Sequence, residues 1–173
     1  MVATKTIVVE DRLQEIVNYF PEVTSLSGES SHEVVFGYGD KKELNSFLKV
    51  RELSDVYPLI WLLYPYNEKH TNTRVEVSKA VFIIAVSTNA SMENKERLDS
   101  NFGKILLPLF FTMRKAFKNA NIMNTNNEYD VVKHPNYSDS EEGNEHPGTF
   151  IWDALRVETD FELVDTCLRE LKL

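Results

Sequence analysis

One cysteine, Cys167, is all the thiol chemistry this 173-residue chain carries. No disulfide can form within it and no cysteine-based zinc framework can be assembled, so the chain fits a reducing interior or is indifferent to redox. Glycine and proline number six each, far below collagen-like or low-complexity usage. Nowhere does an apolar run reach the roughly 18 residues of a membrane span, and the opening MVATKTIVVEDR has too short an apolar stretch for a secretory core. The expectation is a soluble, untargeted protein with no membrane partner. Positive charge is also scarce: 19 basic against 27 acidic side chains give a formal charge of -8. Proteins that grip duplex DNA gather Lys and Arg on one face, and here Arg114, Lys115 and Lys118 are the only modest concentration, which argues against tight nucleic-acid binding.

What is present is ordinary: 42% hydrophobic and 27% charged residues, the profile of a globular chain. The length predicts a single domain, 1–173, that removes roughly 70% of its unfolded surface from water. Leu13, Ile16, Val17 and Phe20 recur at helical spacing and Pro21 stops them, predicting a helix over 10–20. A Gly/Ser-rich stretch over 25–31 precedes a small strand, 32–36, closed by Gly37-Tyr38-Gly39. Asp40 and Glu43 have the spacing of a capping box and predict a helix over 41–49 with Leu44, Phe47 and Leu48 on one stripe.

The apolar period then shortens to two. Residues 56–64 read as a strand with Pro58 at its mouth, where a missing amide is tolerated. Residues 74–87 read as a second strand, with Val75, Val77, Val81, Ile83 and Ala85 assigned to one face and Phe82, Ile84 and Val86 to the other. Ser91 is a candidate N-cap for a long helix reaching about Ala120, with a stripe of Leu98, Phe102, Ile105, Leu106, Leu109, Met113, Ala116 and Phe117. Pro108 should kink it. Residues 121–148 form a polar loop insertion with 129–132 as its one strand-like piece. Residues 149–163 alternate strictly and predict a long strand, and a short helix over 164–173 closes the chain. The fold class read from this order is α+β: a small antiparallel sheet of long strands, packed by a long kinked helix and short terminal helices, all on one face.

Motifs for chemistry are sparse. Gly37-x-Gly39 lacks the third glycine and βαβ context of a dinucleotide site, and no phosphate-loop or HExxH pattern occurs. His134, Asp139, Glu141, Glu142, Glu145 and His146 are ligand-type residues, but their spacing matches neither zinc nor calcium patterns and describes a solvated acidic loop. Cys167 reads as an apolar position of the terminal helix. Asp153 falls on the inward face of the last strand, where a carboxylate needs a partner; an edge position bonded to a neighbour supplies one without catalysis. The expectation is no enzyme, no cofactor, no metal and no catalytic residue. The aromatics Tyr57, Trp61, Tyr64 and Tyr66 have the residue type to stack on sugar or base, but at strand spacing they read as core and sheet-surface packing. The alternative to a structural protein is a small acidic α+β enzyme or ligand-binding domain whose pocket lies among Trp61, Tyr64, Asp153 and the long loop.

What remains is surplus surface. Leu107, Phe110 and Phe111 fall partly outside the helix stripe and are candidate subunit-interface residues, and the last strand is longer than one domain of this size needs. In element order the chain resembles the ring-forming head–tail connector, tail-completion and tail-terminator proteins of tailed bacteriophages. The likeness rests on Phe20-Pro21-Glu22-Val23 after the first helix, the strand opening Tyr57-Pro58-Leu59-Ile60-Trp61-Leu62, and Val81-Phe82-Ile83-Ile84-Ala85-Val86-Ser87. It continues through Glu96-Arg97-Leu98-Asp99-Ser100-Asn101-Phe102, the Leu107-Pro108-Leu109 kink and the strand from Trp152 to Leu163. The Tyr-Pro strand and Leu-Pro-Leu helix are also similar to a neck structural protein of crAss-like phages. The insertion is longer than a minimal terminator needs.

The resemblance implies a virion protein, made in the host bacterial cytoplasm, that closes a ring of roughly six or twelve copies with itself between portal and tail. Its further partners would be neighbouring ring, portal or tail proteins, with DNA passing through the lumen without tight binding. Under that implication Arg156, Glu158, Asp160 and Glu162 are candidate channel-lining residues, since carboxylates keep phosphates moving instead of held.

Overall fold

In the computed structural model, which describes residues 7–24, 30–50, 57–89, 91–137 and 151–173, the chain begins with α1 (Val9–Val17), β1 (Val23–Thr24), β2 (Ser31–His32), β3 (Val35–Gly39) and α2 (Lys41–Val50). It continues with β4 (Leu59–Leu63), β5 (Asn67–His70), β6 (Arg74–Thr88), α3 (Asn94–Arg97), a π-helical segment (Leu98–Leu106) and α4 (Leu107–Asn119). Strands β7 (Met123–Thr125), β8 (Asp130–His134) and β9 (Ile151–Val164) complete it. The class is α+β.

Strands β6 and β9 pair antiparallel over their full length. Each is flanked on its outer side by two short strands placed end to end. Strands β4 and β5 share one side of β6, and β7 and β8 share the far side of β9. Strand β3 adds parallel to β4, the one parallel pair among the described residues of an otherwise antiparallel sheet.

A bulge decides which side chains point where. The β6–β9 register shifts between Val77 and Ala80, with Lys79 in the left-handed region at φ 58°. One extra residue flips the face of everything that follows. Val75 and Val77 therefore share a face with Ala80, Phe82, Ile84 and Val86, whereas Val81, Ile83 and Ala85 belong to the opposite side. Straight alternation joined Val75 and Val77 to the wrong set.

Both faces are covered at this end of the sheet. The first side packs on α1, the π segment and α4 through Leu13, Ile16, Phe102, Leu106 and Phe117. The second packs on α2, where Leu44 and Leu48 meet Trp61 and Ile83. The helices thus lie on two faces, not one. Helix α2 starts as its sequence dictates: the Glu43 amide donates to the Asp40 carboxylate and the Asp40 amide to Glu43, each at 2.8 Å. Trp61 lies flat over Gly37, where a Cβ would sit 2.6 Å from its ring, and donates its indole N–H to the Gly39 carbonyl at 3.1 Å. Only a residue without a side chain leaves room for that ring.

Three further boundaries differ from expectation. The long helix caps at Glu93, with Glu96 completing a capping box, instead of at Ser91. It then winds as a π-helix up to Pro108's neighbourhood, the Leu107 amide reaching back to Phe102. The described part of the 121–148 segment supplies β7 and β8; residues 138–150 lie outside the described residues. Residues 165–173 form no helix. Asn121 holds that tail, donating to the Cys167 carbonyl at 2.9 Å and accepting the Arg169 amide at 2.8 Å, while Asn119 donates to the Lys172 carbonyl at 3.2 Å. Side-chain amides replace the helical hydrogen bonds there. Cys167 is exposed, and Leu171 does the packing that was assigned to it.

Candidate functional site

Asp153 is fully buried near the start of β9, opposite Val86 of β6 and one residue beyond the β8 ladder, which ends at Ala154, so the turn after β8 covers it on that side. Its partners come from helix and turn. Arg97 Nη1 donates to Oδ1 at 2.8 Å, Asn101 Nδ2 to Oδ2 at 2.7 Å, and the Asn136 amide to Oδ1 at 2.8 Å. Arg97 also donates to the Asn89 carbonyl at 2.8 Å, the Met92 carbonyl at 2.9 Å and the Thr88 hydroxyl at 3.3 Å.

Every strong donor and acceptor in this cluster is thereby engaged, as a dry interior requires. The carboxylate ties α3, the π segment, the end of β6 and the turn after β8 to β9. Arg97 and Asn101 fall in a run quoted for the family resemblance, but no catalytic or binding role was assigned to either. The signal available was their four-residue spacing on a helix together with one lone inward carboxylate. They occupy the buried face at that helix's start, and Leu98, assigned to the stripe, is exposed.

Trp61 and Asp153 do not share a pocket. Trp61 belongs to the core beneath α2, and Asp153 faces the opposite helices; both are buried. Tyr57 lies with Trp61, and Tyr64 and Tyr66 lie against the other core. The ligand-type residues 139–146 lie outside the described residues. His134 stacks edge-on against Tyr137 at 5.1 Å, and no cluster of three metal-ligating side chains occurs among the described residues.

The candidate channel-lining residues do share a face, but each has a partner. Arg156 and Glu158 pair with each other at 2.8 Å. Asp160 accepts the Lys79 amide at 2.7 Å. Glu162 accepts from Asn124 at 2.8 Å and Arg74 at 3.3 Å. Glu76 stands directly across from Glu162 in the ladder and pairs outward with Lys69 at 3.2 Å. This half of the sheet is an open, charge-laced surface.

The candidate interface residues divide. Phe110 is buried, packed edge-on against Tyr129 at 5.8 Å with the Arg114 guanidinium 5.7 Å from its ring. Leu107 is half-buried. Phe111 is 55% exposed. Sequence periodicity placed Phe110 partly outside the helix stripe because Tyr129, the residue that covers it, follows later in the chain, where helical spacing does not register it.

Exposed Phe111 sits on α4, whose neighbour Tyr129 leads into β8. Val131 and Val132 of β8 are exposed as well. Strands β3, β5, β7 and β8 each pair with one neighbour, so among the described residues the sheet ends in open edge strands on both sides, β3 and β5 on one and β7 and β8 on the other. No described helix is long and apolar enough to cross a membrane. Comparison of the chain with protein-family models, curated proteins and solved structures gave no match to any of the three.

Proposed function

We propose that this chain is a structural, non-enzymatic virion protein that forms a ring in the neck or upper tail of a tailed phage. In this reading it joins the portal region to the tail around the DNA channel. The observation that carries the proposal is the pair of open sheet edges. Strand β8 exposes Val131 on one face and Val132 on the other, α4 exposes Phe111, and β3 ends the other side of the sheet. An edge strand offers unpaired amides and carbonyls, and an apolar fringe makes pairing with another chain favourable. Head-to-tail contact between two different edges closes into a ring when the rotation between copies is right, leaving no edge free. The open charged half of the sheet, with Arg156, Glu158, Asp160 and Glu162, is the surface that would face the channel. Its internal pairing leaves a net acidic, weakly adhesive wall, which suits DNA that must pass without being held.

The test is assembly itself. Mass photometry and negative-stain electron microscopy of the purified full chain should show annuli. Val132→Lys, which places a charge on the edge strand, should dissolve them. A chain that stays monomeric at all concentrations, and whose Val132→Lys variant behaves identically, overturns the proposal.

A further inference from the structure

Where α1 meets edge strand β3, four aromatic rings stand in a row. Phe36 and Tyr38 have centroids 6.5 Å apart, Tyr38 and Tyr64 6.1 Å, and Tyr64 and Tyr66 5.5 Å. The topology puts them there. Strands β3 and β4 run parallel with Tyr38 beside Leu62, so Tyr64, two residues on, falls on the same face. Tyr38 is 51% exposed.

Into this row the first turn of α1 projects Glu10. Its Oε1 accepts hydrogen bonds from the hydroxyls of Tyr64 and Tyr66, the latter at 2.6 Å. Burial pushes the Glu10 carboxyl up, but the hydrogen bonds from the Tyr64 and Tyr66 phenols together with a backbone hydrogen bond outweigh it and hold the group below its ordinary value. It is an anion at neutral pH. Glu68 of β5 lies beside Tyr66, with Oε2 2.6 Å from His70 Nε2. Among the described residues no lysine, arginine or histidine forms an ion pair with Glu10.

The chemistry selects a cation. Aromatic faces are electron-rich and attract positive charge, and a fixed carboxylate beside them adds to the attraction. The hydroxyls of Tyr64 and Tyr66 are already committed to Glu10, so those two phenols have no proton to offer a sugar. A guanidinium fits better than an ammonium: its plane stacks on a ring while its N–H edge reaches a carboxylate. We infer that this rim is a docking site for an arginine side chain of a partner protein, stacked on Tyr38 and Tyr64 with its N–H groups directed at Glu10. The inference is independent of ring assembly.

The experiment is an aromatic-region NMR titration of the full chain with N-acetyl-arginine amide. The neutral isostere N-acetyl-citrulline amide and the disaccharide cellobiose serve as comparison probes. The Tyr38 and Tyr64 ring signals should shift saturably with the arginine probe, and citrulline should bind about fivefold more weakly or less. Glu10→Gln should weaken arginine binding by about the same factor, and Tyr38→Ala, at an exposed position, should abolish the Tyr64 shift. Equal response to arginine and citrulline, stronger response to cellobiose, or no ring shift with arginine overturns the inference. These three outcomes are read on the unmodified chain, so they do not depend on how any variant folds.

Discussion

The Asp160 carboxylate accepts the backbone N–H of Lys79 at 2.7 Å across the β6–β9 ladder. Lys79 is the bulge residue, at φ 58°, and its amide has left the regular pairing. Asp160 supplies the acceptor the partner strand no longer offers. A residue of the acidic stripe thus has a local structural task as well as a charge.

Removing that acceptor should be felt as one lost charge-assisted hydrogen bond. Asp160→Ala is expected to lower stability by about 1.5–3 kcal/mol, and Asp160→Asn, which keeps an acceptor oxygen, by less. Lys79→Gly should be neutral or stabilising by up to about 1 kcal/mol, because glycine enters the left-handed region without strain. Urea unfolding of the three variants checks the order. An Asp160→Asn as damaging as Asp160→Ala would show that charge, not acceptance, matters.

The Arg97–Asp153 pair should behave as a buried clasp. Arg97→Met or Asp153→Leu alone leaves an ionised partner stranded and is expected to cost about 3–5 kcal/mol. The double variant removes both charges and should lose markedly less than the sum. Thermal denaturation of the four-member cycle measures the coupling, and additive losses would refute it.

Phe110 and Phe111 are neighbours with opposite fates. Phe110→Ala should cost about 3–5 kcal/mol through the cavity it leaves among Tyr129, Arg114 and the core. Phe111→Ala should change monomer stability by less than about 0.5 kcal/mol while weakening self-association. Melting curves separate the first effect, and concentration-dependent mass photometry the second.

Burial raises the phenol values of Tyr57, Tyr64, Tyr66 and Tyr129, with the Glu10 hydrogen bonds adding to it at Tyr64 and Tyr66, and Thr125 and then Arg114 opposing it at Tyr129. A phenol whose folded value lies above its unfolded value of about 10 keeps its proton longer in the folded chain. The stability from this difference is fully present below about pH 10 and is lost as pH rises beyond it. In an alkaline titration followed at 295 nm, these four of the seven tyrosines should ionise together with the loss of near-UV circular dichroism. Ionisation of all seven near pH 10 with the tertiary signal intact would contradict this.

Local chemistry was legible in the sequence. The Asp40/Glu43 box starts α2 because both partners lie within one turn, and the apolar spacing of Leu13, Ile16 and Val17 marks α1. The runs at 59–63, 74–88 and 151–164 are strands because β-branched and alternating residues favour a pleated surface. The long helix and the α+β class follow from the same periods.

Tertiary structure decided what depends on partners distant in the chain. The bulge at Lys79 reversed the facing of half of β6, an event that alternation cannot register because it is one extra residue accommodated by Asp160 on another strand. Strand β7 is short and largely polar, and no local pattern marks it; it is a strand because β9 offers it a ladder, whereas Val131 and Val132 had already marked β8 as strand-like. The tail from 165 to 173 has a helical pattern of leucines, yet Asn119 and Asn121 bind its backbone in another shape. Asp153 and Arg97 lie 56 positions apart, and only folding brings the carboxylate to its cation. Which segments are regular and which faces are oily follows from the residues alone, since those are sums over neighbours. Register, edge exposure and the pairing of buried charge were settled by long-range contact, because a hydrogen bond or a desolvated charge has no preferred partner until the fold supplies one.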